Sequence, residues 1–260
     1  MQHLMGLVRR CVDDYQMIEA GDRIAVGVSG GKDSLALLAL MAGLKQYYPK
    51  PFELAAITID MGMGMDFGPV EDFCRSLGVP YTCVKTEIGP IIFDVRKEKN
   101  PCSMCAKMRR GALNDALKAQ GFNKIALGHH YDDVIETTLM AMLYGGQIQA
   151  MPPMLKAKNF PGMTLIRPLY RVREADIIAW RDAFELEFLR CACRLSESAA
   201  VDESASKRQE IKRLIAALHQ TNPKVEQNIF NSIHRVQLDT LVGWKYRGEA
   251  HGFLETIDKF

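Results

Sequence analysis

The chain has 260 residues, of which 48% are hydrophobic and 25% are charged, and its formal net charge is +2. This length and composition are typical of a globular protein with a sizeable core, built as one large domain or as a domain with an extension. The small net charge excludes an argument for nucleic-acid binding from overall electrostatics, so an RNA or DNA partner requires a local basic patch. No apolar run reaches the roughly 18 residues of a membrane span, and the charged N-terminus does not resemble a signal peptide. We therefore expect a cytoplasmic protein that has no membrane partner.

Apolar β-branched segments alternate with helical patterns along the first 150 residues. The patterns predict strands at 23–28, 53–60, 80–86 and 124–129, and helices at 34–48, 69–78, 105–121 and 132–146. This alternation predicts an α/β fold with a Rossmann-like, doubly wound parallel sheet and right-handed crossovers. Ligands of such sheets bind beyond the carboxyl ends of the strands, where the segments SGGKDS (29–34) and LGHHYDD (127–133) fall. We expect the two segments to face one crevice.

The pattern changes after residue 150. We predict a loop at 151–163, a short strand at 164–169 and a helix at 173–184. The remainder, through Trp244, has the pattern of two helices that separate near Asn222–Pro223.

The segment SGGKDS predicts a phosphate site. Two adjacent glycines at the start of a helix expose backbone N–H groups, and the helix dipole adds partial positive charge. Ser29 and Ser34 offer hydroxyl groups, and Lys32 offers a full charge. Asp33 repels a phosphate unless it holds a metal ion or a loop amide. The spacing matches neither the Walker pattern nor GxGxxG, so the segment indicates a phosphate loop of another kind.

Three of the seven cysteines, Cys11, Cys74 and Cys83, are scattered, and we interpret them as core thiols. A disulfide framework is not expected in a reducing compartment.

The other four cysteines form two close pairs. Cys102 and Cys105 are followed by three cations, Lys107, Arg109 and Arg110, which favour the thiolate form. A tetrahedral site needs at least a third ligand, which Cys191 or Cys193 of the segment RCACR can supply. Three or four thiolates can hold structural zinc, hold an iron–sulfur cluster or carry out persulfide chemistry, so these alternatives stay open at this point.

The segment SGGKDS resembles the pyrophosphate loop (PP-loop) of the N-type ATP pyrophosphatases, which adenylate a substrate and release pyrophosphate. The HxxDD stretch at 129–133 resembles an element of several members of that superfamily. The resemblance implies Mg-ATP over the end of the sheet, with its β- and γ-phosphates in the loop. It also implies a set of nucleotide-binding positions: Ser29, Gly30, Gly31, Lys32, Asp33, Ser34, Asp60, Met61 and Gly128.

A closer resemblance is to the tRNA-cytidine 2-sulfurtransferases. It rests on stretches in fixed order that cover most of residues 5–215, namely MIEAGDRIAVGVSGGKDSL, PCSMCAKMRRGAL, ALGHHYDDVIETTLMAMLYGG, AMPPML, IRPLYRVREADI and KRQEIKRLI. The resemblance implies adenylation of the C2 oxygen of cytidine 32 in a tRNA anticodon loop and its replacement by sulfur, with AMP and pyrophosphate as products. It also implies a cysteine desulfurase as sulfur source and a homodimer. The domains we expect are an N-terminal helical segment (1–20), a PP-loop ATP-binding domain with the cysteine cluster (21–195) and a C-terminal helical extension (196–260).

In that family three cysteines hold a [4Fe–4S] cluster and leave one iron open for the transferred sulfur. By position, the resemblance assigns this role to Cys102, Cys105 and Cys191, with Cys193 as the alternative third ligand. The chain departs from the family where the distal pair reads Cys-Ala-Cys instead of CxxC. Ligation by all four thiolates would close the open iron and contradict sulfur transfer.

The same resemblance suggests roles for polar residues near the loop. Asp132 and Asp133 are expected to hold Mg²⁺ or orient the nucleotide, and Arg109 or Lys107 to stabilise the activated base. We interpret His129 and His130 as hydrogen-bonded structural groups and Trp180 and Trp244 as packing residues. The segment MGMGMD (61–66) is expected to form a methionine-lined wall over the nucleotide. The cations of KRQEIKRLI (207–215) fit a solvated helix face or, with Arg109 and Arg110, a tRNA patch.

Two alternative functions remain beside thiolation of cytidine. One is a PP-loop enzyme that handles sulfur on another RNA base or on a small molecule. The other is a non-catalytic iron–sulfur or zinc protein that binds a nucleotide. Lysidine synthesis is disfavoured because that reaction has no need of the cysteines.

Overall fold

A computed structural model describes residues 1–96, 101–157, 160–184, 207–255 and 257. Within this part of the chain, six strands form one sheet in the order β3-β2-β1-β4-β6-β5. The strands are β1 Arg23–Gly27, β2 Glu53–Asp60, β3 Tyr81–Lys85, β4 Lys124–Ala126, β5 Met154–Lys156 and β6 Thr164–Ile166. All pairings are parallel except the edge pairing of β5 with β6, which is antiparallel.

The helices connect these strands and extend the fold at both ends. They are α1 Gln2–Asp14, α2 Lys32–Lys45, α3 Gly68–Ser76, α4 Ile88–Pro90, α5 Pro101–Ala119, α6 Tyr131–Gly145, α7 Glu174–Ala183, α8 Lys207–Thr221 and α9 Val225–Ser232. A π-helical turn at Ile91–Arg96 follows α4. The predicted α/β sheet, with a helix between each two consecutive strands from β1 to β4, is confirmed.

Alternate residues of each strand pack on opposite faces of the sheet. In β1, Ile24 and Val26 enter the larger core with the buried faces of α1, α2, α6 and α7, whereas Ala25 joins a smaller core beneath α5. A period of two along a strand requires this alternation. Helices therefore cover both faces of the sheet, as a parallel sheet requires.

The two described helices after residue 206, α8 and α9, pack beside the start of α6. Helix α8 packs against α6 through the buried Ile211 and Ile215, and α9 packs against both. Phe230 of α9 stacks on Tyr131 at the start of α6, with ring centroids 4.3 Å apart. These contacts fix the N-terminus of α6 and the N-terminal turn of α8 next to each other.

The structure corrects two elements of the sequence prediction. The segment predicted as a loop at 151–163 contains the edge strand β5. The second of the two C-terminal helices ends at Ser232, and Trp244 lies in an antiparallel hairpin of β7 Gly243–Tyr246 and β8 Glu249–Gly252. Two strand-length runs flank Arg247-Gly248. Their valine, aromatic and glycine residues favour a hairpin over a helix. The predicted helical extension is thus helical only in its first part.

The core assignments can also be compared with the structure. Cys11 and Cys74 are fully buried, and burial raises their pKa values to about 12 and about 11, as suits inert core thiols. Trp180 is buried against Phe184, as predicted for a packing residue. In the described part of the chain, no helix is long and apolar enough to cross a bilayer.

Candidate active site

A cleft of about 440 Å³ lies beyond the carboxyl ends of β1, β2 and β4. The PP-loop, the ends of the strands and helices α5, α6 and α8 all contribute residues to it. Ile57 and Ile59 of β2 give one side an apolar surface, and Arg109, Arg110 and Arg208 give it positive charge. A cleft with an apolar wall and convergent cations suits a ligand that combines a flat ring with phosphate groups.

The PP-loop directs backbone amides to this cleft, of which the Ser29 and Gly31 N–H groups already donate to the hydroxyls of Ser34 and Ser29. Gly30 has φ of +82°, a conformation that glycine adopts without strain, and Gly31 is the N-terminal cap of α2. No side chain of the described residues caps this helix terminus, so its N–H groups are open to an anion. The Ser34 hydroxyl donates to the Gly31 carbonyl at 2.9 Å, which holds the loop in shape.

The end of β4 packs directly on the start of α2. A Cβ atom at Gly128 would lie 3.0 Å from the carbonyl oxygen and carbon of Asp33 and 3.1 Å from the Ser34 nitrogen. Any larger residue would therefore push the two segments apart. This contact and the pairing of β1 with β4 bring the distant segments at 29–34 and 127–133 into one crevice, as expected for two segments that each follow a strand of a parallel sheet.

A reciprocal cap starts helix α6 beside the loop. The Asp133 carboxylate accepts the backbone N–H of His130 at 3.0 Å, and the Asp133 N–H donates to Nδ1 of His130 at 3.4 Å. His130 is buried, and its Nε2 faces Asp133 at 3.5 Å and Asp33 at 3.8 Å. His130 is thus a structural group, and it places the two carboxylates on the same side of the cleft.

Asp132 has a different role from its neighbour. Its two oxygens hold the start of α7, because one accepts the Glu174 N–H at 2.6 Å and the other pairs with Arg173 at 3.0 Å. Asp132 does not line the cleft, whereas Asp133 does.

Alternating charges form a series of ion pairs at the PP-loop end of the cleft, which we call the ion-pair ring. Lys32 lies 2.9 Å from Asp33 and 2.8 Å from Glu174. Lys212 lies 3.2 Å from Glu174 and 3.7 Å from Glu136.

Arg208 completes the ion-pair ring. Its Nη1 lies 2.9 Å from Asp133, and its Nε lies 3.7 Å from Glu136. The imidazole of His130 lies between Asp133 and Asp33, at the two ends of this series. The ring therefore ties the PP-loop, α6, α7 and α8 together through charge.

The two glutamates of the ring have pKa values displaced in opposite directions. Burial opposes ionisation of Glu174, but Lys32 and Lys212 outweigh it and lower the pKa to about 2. Burial dominates at Glu136 and raises its pKa to about 7, against the attraction of Lys212 and Arg208. Glu136 Oε2 also has no hydrogen-bond partner among the described residues. The same ring thus contains a firmly ionised carboxylate and one that titrates near neutral pH.

His129 lines the cleft as a neutral side chain. Burial and the nearby Arg167 guanidinium lower its pKa, and its buried Nδ1 has no hydrogen-bond partner among the described residues. Arg167 is itself buried, and it donates to the Pro152 carbonyl. His129 therefore offers a hydrogen-bonding group to the cleft without adding charge.

Helix α5 forms the wall that carries the proximal cysteines. Arg109, Arg110 and Leu113 line the cleft, and the half-buried Cys105 lies one turn before Arg109. Cys102 precedes Cys105 by a further turn of the same helix. Cys191 and Cys193 lie outside the described residues.

Comparisons with known proteins agree with this geometry. Residues 7–193 match the family model of the PP-loop domain. The chain is 36% identical over 253 residues to the tRNA-cytidine(32) 2-sulfurtransferase of Coxiella burnetii, a match that covers 94% of each chain. It is 36% identical over 250 residues to the enzyme of that name from Pelobacter propionicus, covering 95% of this chain and 90% of the relative.

The chain belongs to the tRNA-cytidine(32) 2-sulfurtransferase family of PP-loop proteins. Its fold also matches the structure of the U34-tRNA thiolase NcsA from Methanococcus maripaludis with its [4Fe–4S] cluster, at a TM-score of 0.70 and 23% identity. That match covers 95% of this chain and 82% of the thiolase. The recognition and the fold class expected from the sequence are confirmed.

Some of the site residues expected for a PP-loop sulfurtransferase meet in the cleft. These are Ser29, Gly31, Asp33, Ser34, Arg109, Gly128 and Asp133. The remaining described ones do not line it. Lys32 points to Glu174, and Lys107 is exposed on α5. Asp60 accepts the Gly62 N–H at 2.9 Å, and the Met61 carbonyl accepts the Gly89 N–H.

Helices α6, α7 and α8 bring to the site residues that the sequence pattern does not assign to it. These are Glu136 and Glu174, together with Arg208 and Lys212 of the segment predicted as a solvated face or a tRNA patch. The signal available in the sequence was the spacing of Arg208, Ile211, Lys212 and Ile215, which places the two cations on the same helix face as the two buried isoleucines. A cation inside such a stripe indicates a carboxylate partner across the interface.

Proposed function

We propose that the protein is an ATP-dependent, iron–sulfur-dependent tRNA-cytidine 2-sulfurtransferase that replaces the C2 oxygen of cytidine 32 by sulfur. The observation that carries this proposal is one cleft lined by open PP-loop amides, the carboxylates Asp33 and Asp133, and the arginines of the cysteine-bearing helix α5. The curated relatives with this name share about a third of their residues with the chain over nearly its whole length.

The first half of the reaction makes the C2 oxygen a leaving group. The oxygen attacks the α-phosphorus of ATP and pyrophosphate departs, so the base becomes adenylated. The amides of residues 29–34 and the N-terminus of α2 stabilise the negative charge that develops on the departing pyrophosphate. Asp33 and Asp133 are the carboxylates that would hold Mg²⁺, and phosphate oxygens and water complete its coordination.

Arg109 suits the second half of the reaction. It lies in the cleft, one turn from Cys105, so its charge falls between the nucleotide site and the proximal cysteines. There it stabilises the negative charge on the adenylated base when sulfur adds at C2 and AMP departs. Cytidine 32 belongs to an anticodon loop, where a single-stranded base can enter such a cleft.

The cysteine set fits an iron–sulfur cluster by its donor type, since thiolates are the usual ligands of iron in such clusters. Cys102 and Cys105 are spaced one turn apart on α5, and Cys191 or Cys193 would supply the third ligand. When bound, the cluster supplies a site for the sulfur that is transferred. The sulfur is expected to come from a cysteine desulfurase, and a homodimer is expected from the family resemblance.

Mass spectrometry of tRNA nucleosides tests the proposal in a host that lacks its own thiocytidine enzyme. The host carries the unmodified gene, Cys105→Ser or the matched control Cys83→Ser, whose half-buried thiol has a pKa raised by burial. We expect 2-thiocytidine with the unmodified protein and with Cys83→Ser, and none with Cys105→Ser. Absence of 2-thiocytidine in all three strains, with the protein present and cluster-loaded, would contradict the proposal. A modified base other than cytidine would favour an alternative RNA substrate.

A further inference from the structure

Arg208 enters the cleft from a part of the chain beyond the PP-loop domain. The segment that matches the domain ends at residue 193, and α8 begins at Lys207. Arg208 shares one helical face with the buried Ile211 and Ile215, so it lies at the edge of the packed interface and not on the solvated side. Its side chain is 43% exposed, and it lines the cleft.

The guanidinium of Arg208 lies close to the PP-loop. It pairs with Asp133 at 2.9 Å, and Asp133 and Asp33 both face Nε2 of His130 within 3.8 Å. Asp33 is the second residue of α2, directly after the open helix terminus. Arg208 is therefore at the end of the cleft where the phosphates of a nucleotide bind.

Most of the donors of Arg208 are unused by the described residues. A guanidinium has five N–H donors in a fixed plane, and Arg208 makes one hydrogen bond, from Nη1 to Asp133. Its contact with Glu136, at 3.7 Å, is too long for a hydrogen bond. Asp133 and Glu136 hold the side chain in place while its remaining donors are available to a phosphate, the bidentate partner that arginine suits best.

We propose that Arg208 is a further nucleotide-binding residue, which donates from helix α8 to the phosphate chain of ATP. This inference rests on the proposed function, since it requires that ATP occupy the cleft. It assigns to α8 the closing of the phosphate site opposite the PP-loop. Phosphate oxygens are also present in RNA, but the position of Arg208 beside the PP-loop favours the triphosphate.

Calorimetric titration with a non-hydrolysable ATP analogue and Mg²⁺ tests this role on the full-length protein. The variants are Arg208→Gln and Arg208→Lys, with Arg213→Gln as a control that removes the same charge from an exposed position on the same helix. We expect Arg208→Gln to weaken binding of the analogue about 10- to 100-fold, Arg208→Lys to weaken it less, and Arg213→Gln to leave it unchanged. Adenosine, which has no phosphate, should bind Arg208→Gln and the unmodified protein equally.

Each other outcome overturns the proposal in a recognisable way. Equal affinity of Arg208→Gln and Arg213→Gln for the analogue would show that Arg208 does not bind the phosphates. Equal loss for adenosine and for the analogue would indicate a distorted cleft instead of a lost phosphate contact. Weaker tRNA binding by Arg208→Gln, with unchanged affinity for the analogue, would assign the residue to RNA. If the unmodified protein binds no ATP analogue, the proposed function fails as well. Should Arg208→Gln not fold, Arg208→Lys against the unmodified protein gives the same comparison.

Discussion

The sheet side and the helical side of the cleft offer charge to a ligand in different ways. On the sheet side, the PP-loop and the N-terminus of α2 present backbone amides, whose partial charges are fixed by the fold. On the helical side, α7 and α8 present full charges, and each of these is paired with a residue of opposite sign in the ion-pair ring.

This difference determines how each side responds to substitution. The amides depend on backbone geometry, so a residue that moves the backbone affects them and a change of side-chain charge does not. The ion-pair ring depends on each partner, because removal of one leaves a partly buried charge without compensation. The experiments below probe the sheet side, the cysteine-bearing helix α5 and the ion-pair ring, from the largest expected effect to the smallest.

The contact of Gly128 with the PP-loop should be the most sensitive point of the sheet side. In Gly128→Val the side chain would collide with the Asp33 carbonyl, which moves the end of β4 away from the loop. We expect AMP formation in the presence of tRNA to fall by about 100-fold or more, in line with the cost of displaced catalytic groups. The control is Gly6→Ala in α1, where an added Cβ meets no atom within 4 Å. An active Gly128→Val variant would show that the close approach is not required.

Arg109 and Lys107 lie two positions apart on α5, and only Arg109 reaches the cleft. Arg109 lines it, whereas Lys107 is exposed and does not. We expect Arg109→Gln to lower the rate of tRNA thiolation about 10- to 100-fold, as loss of one charge-stabilising group does, and Lys107→Gln to lower it less than threefold. Measurement of thiolation rates with saturating ATP compares the two variants. A larger loss of rate in Lys107→Gln than in Arg109→Gln would indicate that the activated base binds at the other face of α5.

Glu174 holds two cations of the ion-pair ring. Its side chain is 27% exposed, and Glu174→Gln leaves Lys32 and Lys212 without that partner. We expect the free energy of unfolding at pH 7 to fall by about 1–3 kcal/mol, as for loss of a charged hydrogen-bond partner. Urea denaturation measures the change. Glu19→Gln, which removes an exposed pair with Lys50, should change it by less than about 0.5 kcal/mol.

The pH dependence of Glu174 follows from its pKa, which the two lysines lower to about 2 from an ordinary value near 4.5. The ionised form is favoured in the folded protein, so the stabilisation is complete above about pH 4.5 and is lost as the pH falls towards 2. Glu174→Gln should therefore lose most of its disadvantage below pH 3. A disadvantage that persists there would show that the charge is not its cause.

Substitution of Glu136 should give the smallest effect on stability, and its pH dependence should be opposite in sign to that of Glu174. Burial raises its pKa to about 7, so between about pH 4.5 and 7 the folded protein keeps a proton that the unfolded chain has lost. The contribution of Glu136 to stability therefore decreases as the pH rises through this window. In Glu136→Gln, which cannot ionise, the melting temperature should decline less between pH 5 and pH 7.5 than in the unmodified protein. Parallel melting curves for the two proteins would contradict the raised pKa.

The sheet side of the site was predictable from local sequence. Strand and helix periodicity placed the segments at 29–34 and 127–133 beyond the carboxyl ends of two strands of one sheet, and the spacing of glycine, serine and lysine indicated a phosphate loop. Gly128 acts through the same local geometry. These features depend on backbone conformation, which short stretches of sequence specify well.

The helical side could not be predicted in the same way. Lys32 and Glu174 are 142 positions apart, and nothing near either residue indicates the other. Exposed cations such as those of residues 207–215 occur on many solvated helices, and the spacing that separates Arg208 from Arg213 does not show which carboxylate Arg208 meets. The edge strand β5 and the C-terminal hairpin were missed because their strands are largely exposed and lack the buried apolar residues of the equally short β4 and β6.

The stoichiometry of AMP and 2-thiocytidine in a purified reaction tests the central claim most directly. The cluster-loaded protein is given ATP, Mg²⁺, a sulfide source and one of two tRNA transcripts, with cytidine or uridine at position 32. The account predicts AMP and 2-thiocytidine in equal amounts with the cytidine transcript and neither product above background with the uridine transcript. AMP formation that does not depend on cytidine 32, or thiolation without ATP, would contradict it.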